Sequence, residues 1–259
     1  MITNPVRERI RRGEAVAGVF VSIESPTTVE LLALAGVDFV VLDSEHYPIE
    51  PSLAAHMFRA AEAFRVPALA RIGENTQQVI AKFMDAGCLG VMMPMVNSAD
   101  DARRVVSAVK YPPLGRRGLA GVRANAYGMA GPLGEHAVAA NEATLVIAQI
   151  ETAEGIEHAA DIIAVPGVDV VFLGPSDLSV ALGVPGQSRH EKVLEVIERL
   201  ARGIVAGGRV AGTIARSPEE YAYWRQRGVG FFLTGANVLL ATAAAEYVRG
   251  IRAVEATRR

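Results

Sequence analysis

Short, unbroken apolar runs recur along the chain, and most of them end on a polar or ionisable residue. Eight such runs, at roughly 15–21, 39–42, 67–71, 90–93, 145–150, 169–173, 209–213 and 230–234, are Val/Ile/Leu-rich and too short for helices. That is the pattern of parallel strands buried on both faces. Between them lie helical patterns over 26–34, 51–64, 75–86, 98–109, 154–163, 190–207, 217–227 and 236–250. Gly36, Gly87, Gly167 and Gly228 stand where a helix gives way to the next strand, the place of a left-handed closing residue. Asn75-Thr76, Ser98 and Ser217-Pro218, the last followed by Glu219 and Glu220, read as helix starts.

Eight strands alternating with eight helices predict an α/β fold of the (β/α)8 TIM-barrel type, with a doubly wound open sheet as the alternative. A length of 259 residues fits one such barrel, so residues 1–259 read as a single domain. Met1–Gly13 lacks the apolar stretch of a secretory signal and reads as a short N-terminal amphipathic helix, with Val6 and Ile10 on one face. Tyr111–Asn141, a long insert after the fourth helix, is rich in Gly, Pro, Arg and Ala and holds no strand; a loop of this length is expected to be functional or interfacial.

Composition narrows the function classes. Apolar residues make up 51% of the chain, enough for a large core, and a net charge of -2 points to neither nucleic acid nor an anionic membrane as partner. No apolar run reaches membrane-spanning length. Cys88 is the one cysteine, which removes intramolecular disulfides and Cys-rich metal sites. The expectation is a soluble, cytoplasmic protein.

Barrel enzymes keep their chemistry at the C-terminal ends of the strands. Strand two ends in Leu42-Asp43-Ser44-Glu45-His46. His46 is the one histidine at a strand end and suits a base or proton shuttle; alternatively, Asp43, Glu45 and His46 form a hydrogen-bonded loop staple. Strand three ends in Arg71, able to meet an oxyanion or to pair with Glu45 or Glu74. Strand five ends in Gln149-Ile150-Glu151, where alternation puts Gln149 and Glu151 on one side. Strand six runs into Gly174-Pro175-Ser176-Asp177, and a helix beginning near Asp177 can offer backbone N–H groups to an anion. Glu151 and Asp177 lie 26 positions apart, one βα unit, and so on neighbouring strands at one end of a barrel. Two carboxylates there can seat a hard divalent cation. Taken singly, Asp177 reads as a helix N-cap and Glu151 as half of a buried ion pair.

Lysine usage bears on mechanism. A Schiff-base aldolase needs a desolvated lysine in the barrel. The chain has Lys82, Lys110 and Lys192, all in or at the ends of expected outer helices. A carbonyl substrate would then be polarised by a metal instead. The P-loop, dinucleotide-binding, His-Glu-x-x-His and G-x-S-x-G motifs are absent.

The strings Leu42-Asp43-Ser44-Glu45-His46, Ala70-Arg71, Tyr111-Pro112-Pro113, Arg117-Gly118, Gln149-Ile150-Glu151 and Gly174-Pro175-Ser176-Asp177-Leu178-Ser179 together resemble the HpcH/HpaI aldolases, from about Arg7 to Tyr247. The resemblance implies a metal-dependent class II aldolase that cleaves or forms 2-keto-4-hydroxy acids, giving pyruvate or a related 2-keto acid plus an aldehyde through a metal-stabilised enolate. It implies Glu151 and Asp177 as ligands of Mg2+, Mn2+ or Co2+, His46 as catalytic base, and Arg71 as stabiliser of the enolate oxygen. Gln149 and Ser176 would contact substrate, alongside Asp177 and Arg71. Asp85 matches a carboxylate that raises the basicity of the histidine across a subunit interface, within a hexamer of three dimers. Ser44, in place of a common Gly, and Leu233-Thr234-Gly235-Ala236-Asn237 depart from the family pattern without touching an implied ligand. A related barrel lyase acting on a CoA thioester, which would need a basic groove for the nucleotide that the Arg116-Arg117…Arg123 cluster only superficially resembles, and a non-catalytic metal- or keto-acid-binding barrel are the alternatives.

Overall fold

Each of the eight apolar runs supplies one strand, with ends shifted by at most a single residue from the sequence reading. The computed structural model describes residues 3–258. The strands are β1 (Val16–Val21), β2 (Phe39–Asp43), β3 (Ala68–Arg71), β4 (Gly90–Met93), β5 (Leu145–Ile150), β6 (Val170–Leu173), β7 (Val210–Ile214) and β8 (Val229–Gly235). They pair in parallel and in chain order, and β8 returns to β1, so the sheet is a closed barrel and the open-sheet alternative falls.

Alternation along the strands separates two apolar sets. Val16, Phe39, Val41, Leu69, Met92, Leu145, Ile147, Val170, Phe172, Phe231 and Leu233 fill the inside of the barrel. The intervening residues, such as Val40, Leu42, Ala70, Val91, Val146 and Val171, face the surrounding helices. Size alternates across the lumen: a side chain at Gly18 would collide with the ring of Phe39. Helix α1 (Pro5–Arg11) presses Val6 and Ile10 against the inner set, so the N-terminal helix closes the bottom of the barrel.

The outer layer is α2 (Pro26–Leu34), α3 (Pro51–Ala63), α4 (Gln77–Asp85), α5 (Ala99–Val109), α6 (Leu133–Ala143), α7 (Ala153–Glu157), α8 (Ala159–Ala164), α9 (Pro175–Ala181), α10 (Glu191–Ala206), α11 (Pro218–Arg225) and α12 (Ala236–Ala256). Ser98 and Ser217 cap α5 and α11 through their side chains, whereas Thr76 begins α4 without a side-chain bond and Asn75 turns away to Asp101 O. Gly36, Gly87, Gly167 and Gly228 all take the left-handed conformation.

Three regions differ from the sequence reading. The insert after the fourth expected helix carries a 3-10 stretch (Arg123–Gly128) and a full helix, α6, so His136 and Asn141 are helical. Gly131, Pro132 and Gly134 obscure this helix in the sequence, while its alanines bury Ala140 and Ala143. Lys110 ties down its end by donating to Asn141 O and Thr144 O at 2.8 and 2.6 Å. The expected helix 154–163 breaks at His158 into α7 and α8. Finally, α12 forms and runs on to Ala256, but Ala236 is its one buried residue. Leu239, Leu240, Tyr247, Val248, Ile251 and Val254 stay exposed, so this helix leaves the barrel wall instead of covering it.

Candidate active site

The inner faces of β2, β3 and β5 are apolar until the last rung, where polar side chains take over. Asp43 follows Val41, Arg71 follows Leu69, and Gln149 follows Ile147, each two residues on and so on the same inward side. Barrel closure brings them to one rim. A cavity of about 410 Å3 opens there, lined by Phe20, Asp43, His46, Arg71, Gln149 and the Gly174–Asp177 turn, among others. His46, Arg71, Gln149, Ser176 and Asp177 therefore share one cavity, and Glu151 lies directly behind Gln149.

Arg71 is clamped. Its Nε and Nη2 donate to Asp43 Oδ1 and Oδ2 at 2.9 and 2.6 Å, Glu45 Oε2 lies 3.2 Å from Nε, and the guanidinium rests 4.5 Å above the centre of the Phe20 ring. Glu74 is not its partner. Nη1 is left without a protein acceptor among the described residues. Burial opposes this charge, but the hydrogen bonds and charge of Asp43, with Glu45 and Glu151 beyond, outweigh it and raise the Arg71 pKa. Asp43 Oδ1 also accepts the amides of Glu45 and His46, at 3.2 and 3.4 Å. The loop staple is thus real, and it holds His46 at the cavity edge with an exposed ring. Burial pushes the Glu45 carboxyl up, while Arg71 and His46 pull it back. Glu45 Oε2 is buried without an aligned hydrogen bond, 3.7 Å from His46 Nε2.

Glu151 is buried and makes no ion pair among the described residues, unlike the buried-pair reading of the sequence. Its Oε1 accepts the Met95 amide at 2.9 Å and its Oε2 accepts from Gln149 Nε2. Burial pushes its pKa to about 7; the Met95 amide lowers it, and the charge of Asp177 raises it again. Asp177 sits in the first turn of α9 rather than at its N-cap, which is Gly174. A Cβ at Gly174 would lie 2.8 Å from Glu151 Oε2 and 3.0 Å from Gln149 Nε2, so only glycine leaves this carboxylate room. Gln149 Oε1 and Ser22 Oγ are buried and unpartnered. Among the described residues no group of three or more His, Cys, Asp or Glu side chains forms a metal cage. A desolvated carboxylate lacking a counter-charge, beside a second carboxylate and orphaned oxygens, nonetheless fits a hard divalent ion that keeps open positions for water and substrate.

Asp85 lies elsewhere. It ends α4, at the opposite end of the barrel, and accepts from Arg117 Nη2 at 2.8 Å. Arg117 is buried over the Tyr111 ring, and Arg123 is occupied by Ala86 O and Glu62, so the basic cluster forms no open nucleotide groove. None of the three lysines lines the cavity. Lys110, buried at the end of α5 with its pKa lowered by desolvation to about 8, is bound into the α6 terminus. Phe20, Ser22, Tyr47, Arg216 and Asn237 also line the site and escaped the sequence reading. The alternation from Val16 along β1 would have flagged Phe20 and Ser22, whereas nothing local marks the others.

A profile of the HpcH/HpaI aldolase/citrate lyase family matches residues 16–244. The chain belongs to this family. It is accordingly an enzyme of the carbon–carbon lyase type. As a family member it is 32% identical over 240 residues to the 2-keto-3-deoxy-L-rhamnonate aldolase of Escherichia coli O6:K15:H31 (strain 536 / UPEC), spanning 93% of this chain and 90% of that protein. A solved HpcH/HpaI aldolase/citrate lyase family protein from Burkholderia cenocepacia J2315 matches with a TM-score of 0.89 at 31% identity, over 96% of this chain and 100% of the other. The citrate synthase SbnG matches with a TM-score of 0.83 at 33% identity, over 94% and 98%. Among the described residues no helix is long and apolar enough to cross a membrane.

Proposed function

We propose that this chain is a divalent-metal-dependent aldolase that cleaves 2-keto-4-hydroxy acids into pyruvate, or a related 2-keto acid, and an aldehyde, and joins them in reverse. One observation carries this reading: a base (His46), a clamped guanidinium (Arg71) and a carboxylate (Asp177) line a single cavity with no lysine in its lining, and the buried Glu151 carboxylate stands against its Gln149 wall. Aldolases of this family type depend on a divalent metal, and the carboxylate pair supports one here. Mg2+, Mn2+ and Co2+ all suit such oxygen ligands.

Glu151 and Asp177 would hold the ion, and Gln149 keeps the Glu151 carboxylate in place. Such an ion, when bound there, would supply Lewis-acid polarisation of the substrate C2 carbonyl. Gln149 and the backbone N–H of Ser176 contact the keto-acid head. His46 takes the proton from the C4 hydroxyl. The C3–C4 bond then breaks: its electron pair stays with the pyruvate fragment as an enolate, and C4 leaves as the aldehyde carbonyl. Arg71, fixed by Asp43 and Glu45, offers Nη1 to the oxygen on which charge develops. Proton return to C3 gives pyruvate.

We read the rest of the organisation in the same terms: one domain over residues 1–259, a cytoplasmic enzyme, and a hexamer of three dimers. The uncovered apolar face of α12 supports a subunit contact. Such an assembly would also let Asp85 reach a His46 across a boundary, which it does not do within one chain. The occupied arginines of the insert weigh against the CoA-thioester alternative.

The test is a retro-aldol screen over 2-keto-4-hydroxy acids that detects pyruvate. EDTA is expected to abolish turnover and a divalent ion to restore it, and borohydride with pyruvate to trap no adduct. A borohydride-trapped lysine adduct would sink the metal-dependent reading.

A further inference from the structure

The end of the barrel opposite the catalytic rim holds another cavity, which the aldol chemistry does not use. Its volume is about 300 Å3, and Leu89 and Thr144 in its lining place it beneath the starts of β4 and β5, between α4 and the insert helix α6. Met84, Leu89, Ala124 and Ala140 give it apolar walls, while Arg117 and His136 bring nitrogen donors to it.

Arg117 is poorly matched for a buried cation. Its side chain is 2% exposed, yet among the described residues its guanidinium makes one hydrogen bond, from Nη2 to Asp85 Oδ1 at 2.8 Å. Its Nε is buried and unpartnered. The Tyr111 ring, centred 4.7 Å from the guanidinium carbon, covers one face but accepts no in-plane N–H. His136 meets the same ring edge-on, with centres 6.0 Å apart, and its Nε2 is also buried without a partner. So is the Tyr111 hydroxyl. Burying one unpaired donor is costly, and buried polar atoms are almost always paired. Three in one cluster beside a cavity mark a wall that a polar ligand would satisfy.

Charge and shape narrow the ligand. The acidic groups nearby are committed: Asp85 to Arg117, and Glu62, at the cavity edge, to Arg123. A neutral ligand would leave the guanidinium short of acceptors, and a cation would be repelled by it. A single carboxylate suits the planar guanidinium edge, and His136 can donate Nε2–H to it as the neutral tautomer or as imidazolium. The apolar walls then call for a hydrocarbon body behind the charged end.

We propose that this cavity binds a small monocarboxylate with an apolar tail, its carboxylate on Arg117 and His136 and its tail against Met84, Leu89, Ala124 and Ala140. The site is separate from the catalytic rim and stands whether or not the aldolase reading does. The probes are isovalerate and isovaleramide, which share a shape and differ in charge. Each is titrated by calorimetry into the EDTA-treated protein, so that no ion at the rim draws the acid there. The histidine ring signals are followed by NMR, with that of His136 assigned by its loss in His136→Gln. Isovalerate should bind in the millimolar range and shift the His136 signal, and the amide should bind about tenfold more weakly or worse. Arg117→Lys, which keeps the charge and loses the planar fork, should weaken isovalerate by about tenfold. Since Arg117 also supports Asp85, Ala140→Leu is the second variant: it fills the cavity from α6, leaves every polar group in place, and should weaken isovalerate by a similar factor while circular dichroism stays native. Equal affinity for acid and amide overturns the proposal, as does the absence of saturable binding. Isovalerate that shifts His46 and leaves His136 unmoved, or that binds Ala140→Leu as it binds wild type, places the acid elsewhere and overturns it too.

Discussion

Asp43 and Arg71 are register partners across the β2–β3 ladder, and their side chains close a two-point ion pair at 2.9 and 2.6 Å. The pair terminates the apolar inner rows of both strands at the same height. It keeps the guanidinium charged in a buried setting and fixes its plane, leaving Nη1 without a protein acceptor among the described residues.

This geometry separates two roles that mutation can distinguish. Arg71→Lys keeps a charge but loses the fork, and kcat should fall by about a hundredfold or more with little change in Tm. Asp43→Ala strands a buried cation and should cost about 3 kcal/mol of stability, read as a lower Tm. Wild-type kcat in Arg71→Lys would contradict the oxyanion role.

Glu151 predicts an unusual pH dependence for the metal-free protein. Its folded pKa of about 7 lies above the ordinary carboxyl value of 4.5, so the folded state binds more protons between those values. Stability is then fully present below about 4.5 and declines as pH rises to about 7, by roughly 3 kcal/mol at most. Denaturant titrations of the EDTA-treated protein across this window should show the decline, and Glu151→Gln should flatten it. A saturating divalent ion should reverse the trend, because it binds the deprotonated carboxylate.

Gly174 offers a steric test of the same carboxylate. The added methyl of Gly174→Ala would press on Glu151 Oε2 and Gln149 Nε2. The divalent-ion concentration for half-maximal activity should rise about tenfold or more, by the scale of lost support around a metal site, while circular dichroism stays native. An unchanged activation curve would place the ion elsewhere.

Asp85 tests the assembly. Within one chain it pairs with Arg117, far from His46. If it acts on a neighbour's histidine, Asp85→Asn should lower kcat on the order of tenfold or more, and move the acid limb of the kcat/KM profile. Particles smaller than a hexamer should show the same loss without any mutation. A monomer with full activity would remove Asp85 from the mechanism.

The strands and the site rim were legible because one physical rule writes both: a strand buried on two faces must be apolar until it emerges. Asp43, Arg71, Gln149 and Glu151 stand at that emergence. The partner of Arg71 was harder to read, since Asp43 is distant in sequence and only the β2–β3 register brings them together. Helix α6 was hidden by the glycines and proline at its start. The departure of α12 was invisible because an apolar stripe reads alike whether it covers its own barrel or another surface. Arg216 carries no local signal; only barrel closure brings the end of β7 to the cavity rim.

The central claim is that His46, Arg71 and a cation held by Glu151 and Asp177 generate a pyruvate enolate. The most direct measurement is exchange of the pyruvate methyl hydrogens into D2O, followed by NMR with no aldehyde present. The account predicts exchange with an added divalent ion, its loss in EDTA, and strong slowing in His46→Ala and Glu151→Gln. Pyruvate whose methyl signal persists with every divalent ion, or exchange indifferent to EDTA, would contradict it.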